Sequence, residues 1–284
     1  METPPPHRHH LTGILSDSER ILTTNYFHFI SLSFLFLPLS SSLITTTPFS
    51  HLSGQLFTVD RLHTLTTFHI FYILIVYLLS LSAIATITYT TYHGFSGQPV
   101  NFSTALKSLT SSFFPIVTTA ITAHTLIFLI SLTFPMLLHN LGFVIDPTSI
   151  LFTWLFYVTV AITYFHVNWS LAFVVVVAES KSGVAALVRS SELVKGMRSV
   201  SLLLGLYFGF FFGISVWTLS DGIRVISDRG YVFFAIVVGG SGLLMSYVRN
   251  FTVATTVLYC YCKNFHGELA VNGVDVKIPR VFEA

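Results

Sequence analysis

The chain consists mainly of long apolar runs separated by short polar segments. Between Arg20 and Glu179 the only fixed charges are Asp60, Arg61, Lys107 and Asp146. A transmembrane helix needs about 20 mostly apolar residues, because the hydrocarbon layer is roughly 30 Å thick. The gaps between these charges are long enough for several such helices. The pattern therefore predicts an all-α fold, a polytopic transmembrane helical bundle.

The apolar runs predict about six spans, which lie at residues 25–44, 67–89, 113–138, 150–178, 200–219 and within 231–261. The same division gives a cytosolic N-terminal tail at 1–24, a bundle at 25–262 and a cytosolic C-terminal tail at 263–284. The first span follows a polar leader and is longer than the core of a cleaved signal peptide. We therefore expect it to be a retained signal anchor.

Two of these runs are too long for one straight crossing. The fourth predicts tilt or a break, and His166-Val167-Asn168 is the natural place for a break. The sixth contains Arg249, the one fixed charge inside any span. Either the crossing is 231–248 with Arg249 at the interface, or it is about 243–261 with Arg249 buried in protein. The sequence leaves both alternatives open.

Two cytosolic segments have the periodicity of amphipathic helices lying at the membrane interface. The apolar face of the first comprises Leu11, Ile14, Leu15, Ser18, Ile21 and Leu22. In the second, at 184–198, one arc carries Ala186, Leu187, Leu193, Val194 and Met197, and the opposite arc carries Arg189, Glu192 and Lys195. The second helix is either a connector packed under its own bundle or a lipid sensor, with Arg189, Lys195 and Arg198 as its candidate lipid-facing cations.

Composition agrees with a membrane protein: 53% of residues are apolar, 9% are charged and the mean hydropathy is +0.76. A net charge of +2 with no basic block interleaved with aromatics excludes a nucleic-acid-binding surface. The two cysteines, Cys260 and Cys262, are too close in sequence to indicate a disulfide framework. They are equally compatible with acylation beside the membrane and with buried structural thiols.

No residue cluster in the sequence identifies a reaction, and the spans contain no Asp or Glu to act as a base. Histidines occur in four spans, at His28, His69, His124 and His166. No two of them have the i, i+3 or i, i+4 spacing of ligands on one helix face, so hydrogen-bonded neutral histidines are the better interpretation than a metal site. We predict no cofactor.

Four residues are candidate intramembrane polar or interfacial groups: His166, Asn168, Glu179 and Arg249. An unpaired arginine at mid-membrane costs about 2.5–3.5 kcal/mol on insertion scales. Glu179 lies one residue past the fourth span, and one hypothesis is that it pairs with Arg249. The alternative is that Arg249 extends to the interface and needs no partner.

Three segments carry a resemblance to a known family: the lead-in at 11–27 with Pro38 in the first span, the stretch from Trp169 through Glu179 and Gly183 to Gly196, and the ending at 259–266. In layout they resemble a plant family of six-span transmembrane proteins of unknown function. That family is distantly similar to the membrane domain of some bacterial glycerophosphodiester phosphodiesterases. The resemblance implies an integral membrane bundle, without the catalytic barrel of those enzymes.

The sequence favours a non-enzymatic membrane protein that binds membrane lipids or a partner membrane protein and no nucleic acid. The alternative is a transporter or channel for an uncharged or hydrophobic solute, since hydroxyl-rich faces and a broken helix allow a polar path. An intramembrane enzyme using the four span histidines ranks last. The endoplasmic reticulum and the plasma membrane fit equally well.

Charge asymmetry predicts the orientation of the bundle. With six crossings, one side carries ten basic residues: Arg8, Arg20, Lys107, Lys181, Arg189, Lys195, Arg198, Lys263, Lys277 and Arg280. The other side carries three, Arg61, Arg224 and Arg229. By the positive-inside rule both termini are cytosolic. Reporter tags fused at Met1 and Ala284 should both face the cytosol, and tags on opposite faces would refute the six-span topology.

Overall fold

The computed structural model describes residues 11–42, 59–98, 100–140, 147–226 and 230–268. Its helices are α1 (Leu11–Thr24), α2 (Tyr26–Ser33), α3 (Val59–Phe95), α4 (Phe102–Asn140), α5 (Pro147–Trp169), α6 (Ala172–Glu179), α7 (Val184–Leu193), α8 (Arg198–Ile226) and α9 (Gly230–Phe265). A 3₁₀ turn at Phe34–Phe36 follows α2. These residues contain no β-strand, which confirms the all-α prediction.

Five segments are long and apolar enough to cross a membrane: Ile70–Phe95, Phe102–Thr133, Leu151–Glu179, Arg198–Gly222 and Tyr231–Phe265. Each overlaps a predicted span. A sixth is reached only if α1 and Tyr26–Ser42, which meet at a 94° bend, are taken together. The prediction of a multi-pass helical bundle is therefore confirmed. The first predicted span begins at this bend and contains the 3₁₀ turn.

The outer surface of the bundle is covered by large apolar side chains. Strongly exposed examples are Phe71, Phe128, Phe156, Trp217 and Phe234. A soluble monomer rarely exposes apolar patches larger than a few hundred Å², whereas in a bilayer such side chains face lipid at no cost. This surface is the one expected of helices that lie within a membrane.

The core of the bundle forms around the second half of α9, which packs against α8, α3 and α1. Val253, Ala254, Val257 and Leu258 on this part of α9 are completely buried. Helix α3 also packs on α4, and the pair α6 and α7 fills the space beside α4 and α5. The ends of α3, α6 and α9 and the starts of α4 and α8 consequently gather at one end of the bundle, here called the Glu179 end.

Both predicted amphipathic helices have the expected faces. On α1, Ile14, Ser18 and Ile21 are buried and the neighbouring leucines pack against the core. On and just after α7, the five predicted apolar positions are at most 3% exposed, namely Ala186, Leu187, Leu193, Val194 and Met197. Helix α7 contacts α4, α5 and α6, so it is a connector packed onto its own bundle.

The fourth span is broken, which is one of the two outcomes, tilt or a break, that its length predicted. Helix α5 ends at Trp169 and α6 begins at Ala172, so the break lies a few residues beyond the predicted His166–Asn168 position. The hydroxyl of Ser190 on α7 bridges the break: it accepts a hydrogen bond from the backbone N–H of Leu171 (3.2 Å) and donates one to the carbonyl of Asn168 (2.8 Å). The backbone groups freed by the break are thus paired within the protein.

The sixth apolar stretch is a single helix. Helix α9 continues without interruption from Gly230 to Phe265, so both alternative crossings lie within one helix. Arg249 lies inside the helix and is only 9% exposed. Its burial agrees with the alternative in which the guanidinium is covered by protein.

Ser190 should be required for stability because one hydroxyl pairs two buried backbone groups. We expect Ser190→Ala to lower the free energy of unfolding by about 1–3 kcal/mol, the cost of unsatisfied buried groups. Ser191→Ala is the matched control, since the Ser191 hydroxyl bonds to the Val188 carbonyl of its own helix. The measurement is thermal unfolding in detergent, and equal stability of the two variants would contradict the bridging role.

Candidate functional site

Glu179, the last residue of α6, is the centre of a polar cluster at the Glu179 end of the bundle. Its carboxylate accepts a hydrogen bond from Arg189 Nε at 3.1 Å and from the Tyr259 hydroxyl at 3.0 Å. The ammonium groups of Lys181 and Lys263 lie at 3.2 and 3.3 Å. Three cations, one from the residues after α6, one from α7 and one from α9, therefore pair with one carboxylate. The Glu179 cluster comprises Glu179, Lys181, Arg189, Tyr259 and Lys263.

Tight backbone turns bring the cluster together. Helix α6 ends with Ser180 in the left-handed conformation (φ 55°), and Gly183 (φ 60°) precedes α7. The backbone N–H of Gly183 donates to Thr119 Oγ1 of α4 at 2.8 Å. The chain thus reverses within a few residues, and α7 returns along the end of the bundle with Arg189 beside Glu179.

Arg189 links the cluster to the residues that follow α9. Its guanidinium also donates to the carboxylate of Glu268 and lies 3.9 Å from Glu192. Burial alone would lower the pKa of Arg189, but the hydrogen bonds to Glu179 and Glu268 outweigh that effect and raise the pKa. Arg189 therefore remains charged and fastens the end of α9 to α7.

The hypothesis of a Glu179–Arg249 ion pair is wrong. Glu179 is occupied by the cluster, whereas Arg249 Nε donates to the side chain of the adjacent Asn250 at 3.2 Å. Arg249 precedes Lys263 by 14 positions on the continuous helix α9. At 1.5 Å per residue this separation is about 21 Å, far beyond the reach of either side chain.

The three predicted lipid-facing cations divide into two kinds. Arg189 is held in the Glu179 cluster with only 20% of its side chain exposed. Lys195 and Arg198 are exposed, and they lie where the connector meets the start of the fourth long apolar segment, Arg198–Gly222. Arg189 thus has a structural role in ion pairs within the protein. The prediction of contact with lipid headgroups rests on Lys195 and Arg198.

Cys260 and Cys262 are both buried, at 3% and 0% exposure. The Cys262 sulfur lies 3.6 Å from the sulfur of Met197 in the core. An acyltransferase has no access to either thiol in this arrangement. Of the two interpretations left open by the sequence, the structure supports buried structural thiols.

The span histidines that the structure describes lie in different environments. His28 is 3.4 Å from the Thr90 hydroxyl, and His124 Nδ1 is 3.4 Å from the Tyr77 hydroxyl. His166 stacks on Phe251 with ring centroids 6.2 Å apart. The side chain of His69 lies outside the described residues. Within the described part of the chain, no three His, Cys, Asp or Glu side chains are grouped closely enough to hold a metal ion.

A second feature is an open-sided apolar cavity of about 240 Å³ between α5, α8 and α9, here called the His166 cavity. His166 lines it from α5, and Tyr247, Val248 and Phe251 line it from α9. The facing part of α8 carries Gly205 and Gly209 in a G-x-x-x-G spacing. A Cβ added at Gly205 would come within 3.3 Å of His166 Nε2, whereas one at Gly209 would meet no other heavy atom within 4 Å, so Gly209 leaves open space.

Asn168, the remaining candidate, lies beside the helix break. It is 4% exposed, and its side-chain amide donates to the Tyr164 carbonyl at 2.7 Å. Among the described residues its side-chain oxygen is buried without a hydrogen-bond partner. Asn168 does not line the His166 cavity, so the structure does not bring these two candidates into one site.

Residues 45–272, about four-fifths of the chain, match the family model described as Domain of unknown function (DUF8558). The chain belongs to this family. No curated protein and no solved structure matches the chain. The family extends over α3 to α9 and includes both the Glu179 cluster and the His166 cavity.

Glu179 and Arg189 were separate candidates in the sequence, and four of their partners were not predicted: Lys181, Tyr259, Lys263 and Glu268. One signal was present: the six-span topology puts the ends of the fourth and sixth spans on the same side, so Glu179 and Lys263 share a depth. The i, i+4 spacing of Tyr259 and Lys263 also puts them on one face of α9. The sequence does not show how α9 is rotated about its axis, and this rotation turns the face with Tyr259 and Lys263 toward α6.

The Glu179 cluster should contribute strongly to stability. Glu179→Gln keeps the side-chain shape but leaves Lys263, which is 12% exposed, and Arg189 without their shared carboxylate. We expect a loss of about 3 kcal/mol, as for the removal of one partner from a buried ion pair. The readout is the free energy of unfolding in detergent.

Glu192→Gln is the matched control for this substitution. Glu192 faces the same guanidinium at 3.9 Å but is 52% exposed. Exposed ion pairs contribute about 0–1 kcal/mol, so its loss should have little effect. A control as destabilised as Glu179→Gln would show that the cluster has no special role.

Proposed function

We propose that this chain is a non-enzymatic integral membrane protein that binds anionic membrane lipid at its Glu179 end. The observation that carries the proposal is the placement of the connector α7 and the residues after it. Its apolar face is fixed to the bundle, while Lys195 and Arg198 are exposed at the start of a long apolar segment. Cations at the end of a membrane-spanning segment are within reach of lipid phosphates.

The Glu179 cluster supports this arrangement by making the cationic surface rigid. Arg189 and Lys263 are neutralised by carboxylates and hold the connector in place. Lys181 contacts Glu179, yet 45% of its side chain is exposed on the same end of the bundle. Exposed lysine and arginine near an anionic leaflet contribute about 1 kcal/mol each to lipid attraction.

The experiment is retention of lipid during mild purification. The protein is reconstituted in equal parts of phosphatidylserine and phosphatidylcholine, re-extracted gently, and its bound lipids are quantified by mass spectrometry. In the double variant Lys195→Glu and Arg198→Glu, the ratio of retained serine to choline lipid should fall about thirtyfold, because two attractions of about 1 kcal/mol are lost. An unchanged ratio would refute the proposal.

The matched control reverses two other exposed cations, Arg20 and Lys107, to glutamate. Both belong to the same predicted side of the membrane, and the change in net charge is identical. We expect this control to retain most of the preference for phosphatidylserine. If both double variants reduce the ratio equally, net charge alone governs lipid retention and the connector has no distinct role.

A transporter or channel for an uncharged solute is the second candidate, favoured by the broken fourth span. Broken helices often mark solute sites in transporters, because freed backbone groups bind the cargo. Here Ser190 already pairs the groups at the break, and Ser201 donates to Ser170 at 2.9 Å. This pairing supports a structural break, and solute flux in proteoliposomes with Asn168 replaced by leucine tests the alternative.

The resemblance to the six-span plant family and to the phosphodiesterase membrane domains stays a prediction. A partner membrane protein is the other occupant that the sequence allows for this end of the bundle. It would be recovered by cross-linking through a cysteine introduced at Lys195, whereas the lipid proposal expects lipid adducts at that position.

A further inference from the structure

We propose that the His166 cavity binds a neutral, single-chain lipid through one oxygen-bearing group, a hydroxyl or a carbonyl, that hydrogen-bonds to the His166 imidazole. The proposal is independent of anionic lipid binding at the Glu179 end. The cavity has about 240 Å³ of space and apolar walls. The only polar side-chain atoms in its lining belong to His166 and Tyr247.

The imidazole of His166 has unused hydrogen-bonding capacity. Its ring stacks on Phe251, and no hydrogen bond joins either ring nitrogen to another described residue. A neutral imidazole carries one donor and one acceptor, so it can bond to a hydroxyl in either sense or donate to a carbonyl. Because hydrocarbon offers no water to satisfy these atoms, a ligand oxygen at this point is favourable.

The depth of the cavity indicates that the ligand is neutral. Phe251 precedes Lys263 of the Glu179 cluster by 12 positions on α9, which corresponds to about 18 Å along the helix. With Lys263 at the edge of the hydrocarbon layer, whose half-thickness is roughly 15 Å, the imidazole lies near the middle of the membrane. The headgroup of a phospholipid does not reach this depth, and an ionised group there is costly.

The dimensions of the cavity indicate a single chain. Pockets that hold drug-sized molecules are usually about 300–1,000 Å³, and this one is smaller. One side is open, so the remainder of a long molecule can extend between the helices into the bilayer. Gly205 and Gly209 allow this close approach, since a side chain at either position would occupy the space.

The experiment is photolabelling of the full-length protein in phosphatidylcholine nanodiscs. Three probes share one diazirine-bearing hexadecyl chain and end in an alcohol, a methyl group or a carboxylate. We expect the alcohol to label the cavity about fivefold more than the hydrocarbon probe, the factor expected for one net hydrogen bond. The carboxylate probe, charged at mildly alkaline pH, should label no more than the hydrocarbon. Peptide mapping should place the adducts on residues 205–212 or 247–251.

Single substitutions distinguish the contribution of the hydrogen bond to His166 from that of the cavity volume. His166→Phe keeps an aromatic ring beside Phe251 and should abolish the preference for alcohol over hydrocarbon. Tyr247→Phe should keep that preference, and its loss there would overturn the assignment to His166. Gly209→Leu should reduce labelling by every probe, because its side chain fills the cavity.

Gly213→Leu is the matched control for filling the cavity. Gly213 lies one turn further along α8, outside the lining, and a Cβ added there, as at Gly209, would meet no other heavy atom within 4 Å. Two results would overturn the proposal: equal labelling of Gly209→Leu and Gly213→Leu, or equal labelling of the wild type by the alcohol and hydrocarbon probes. Either would show that an ordinary bilayer chain occupies the His166 cavity. Competition of wild-type labelling by unlabelled alcohol against unlabelled alkane tests the same point without any variant.

Discussion

Inside a bilayer, an unpaired backbone N–H or C=O finds no water, and each one left unsatisfied costs several kcal/mol. This constraint explains why the described chain is helical almost throughout and why the break in its fourth predicted span is bridged. The hydroxyl of Ser190 pairs with the chain on both sides of that break. The connector α7 therefore serves the interior of the bundle as well as its surface, because the residue that closes the break lies on it.

The same constraint shapes the interfacial end of the bundle. Charged groups gather there, where the apolar segments end, and three cations surround Glu179 instead of being dispersed. Contacts from the linker, α7 and α9 converge on one carboxylate. The polar cluster thus joins segments from distant parts of the chain, and it fixes the position of the exposed cations beside it.

The lengths of the apolar runs were sufficient to predict the long helices, and periodicity was sufficient to predict the buried faces of α1 and α7, because both are local properties of the sequence. The break in the fourth span was located to within a few residues from the length of the run and the polar residues His166 and Asn168 within it. The partners of Glu179 were not predictable in this way, since Lys263 is distant in sequence and reaches Glu179 only through the packing of α9. The hypothesis of a Glu179–Arg249 pair failed because about 21 Å of α9 separates Arg249 from Lys263, which contacts Glu179. The His166 cavity depends on how the glycine face of α8 packs against its neighbours.

The lengths of the helices have a consequence for what surrounds the membrane. Helices α3, α4 and α9 contain 37, 39 and 36 residues. At 1.5 Å per residue they measure about 54–59 Å, nearly twice the thickness of the oily layer. Even with tilt, these helices extend beyond the hydrocarbon layer on at least one face. The thickness of the host membrane therefore sets how much of each helix end lies among or beyond the lipid headgroups.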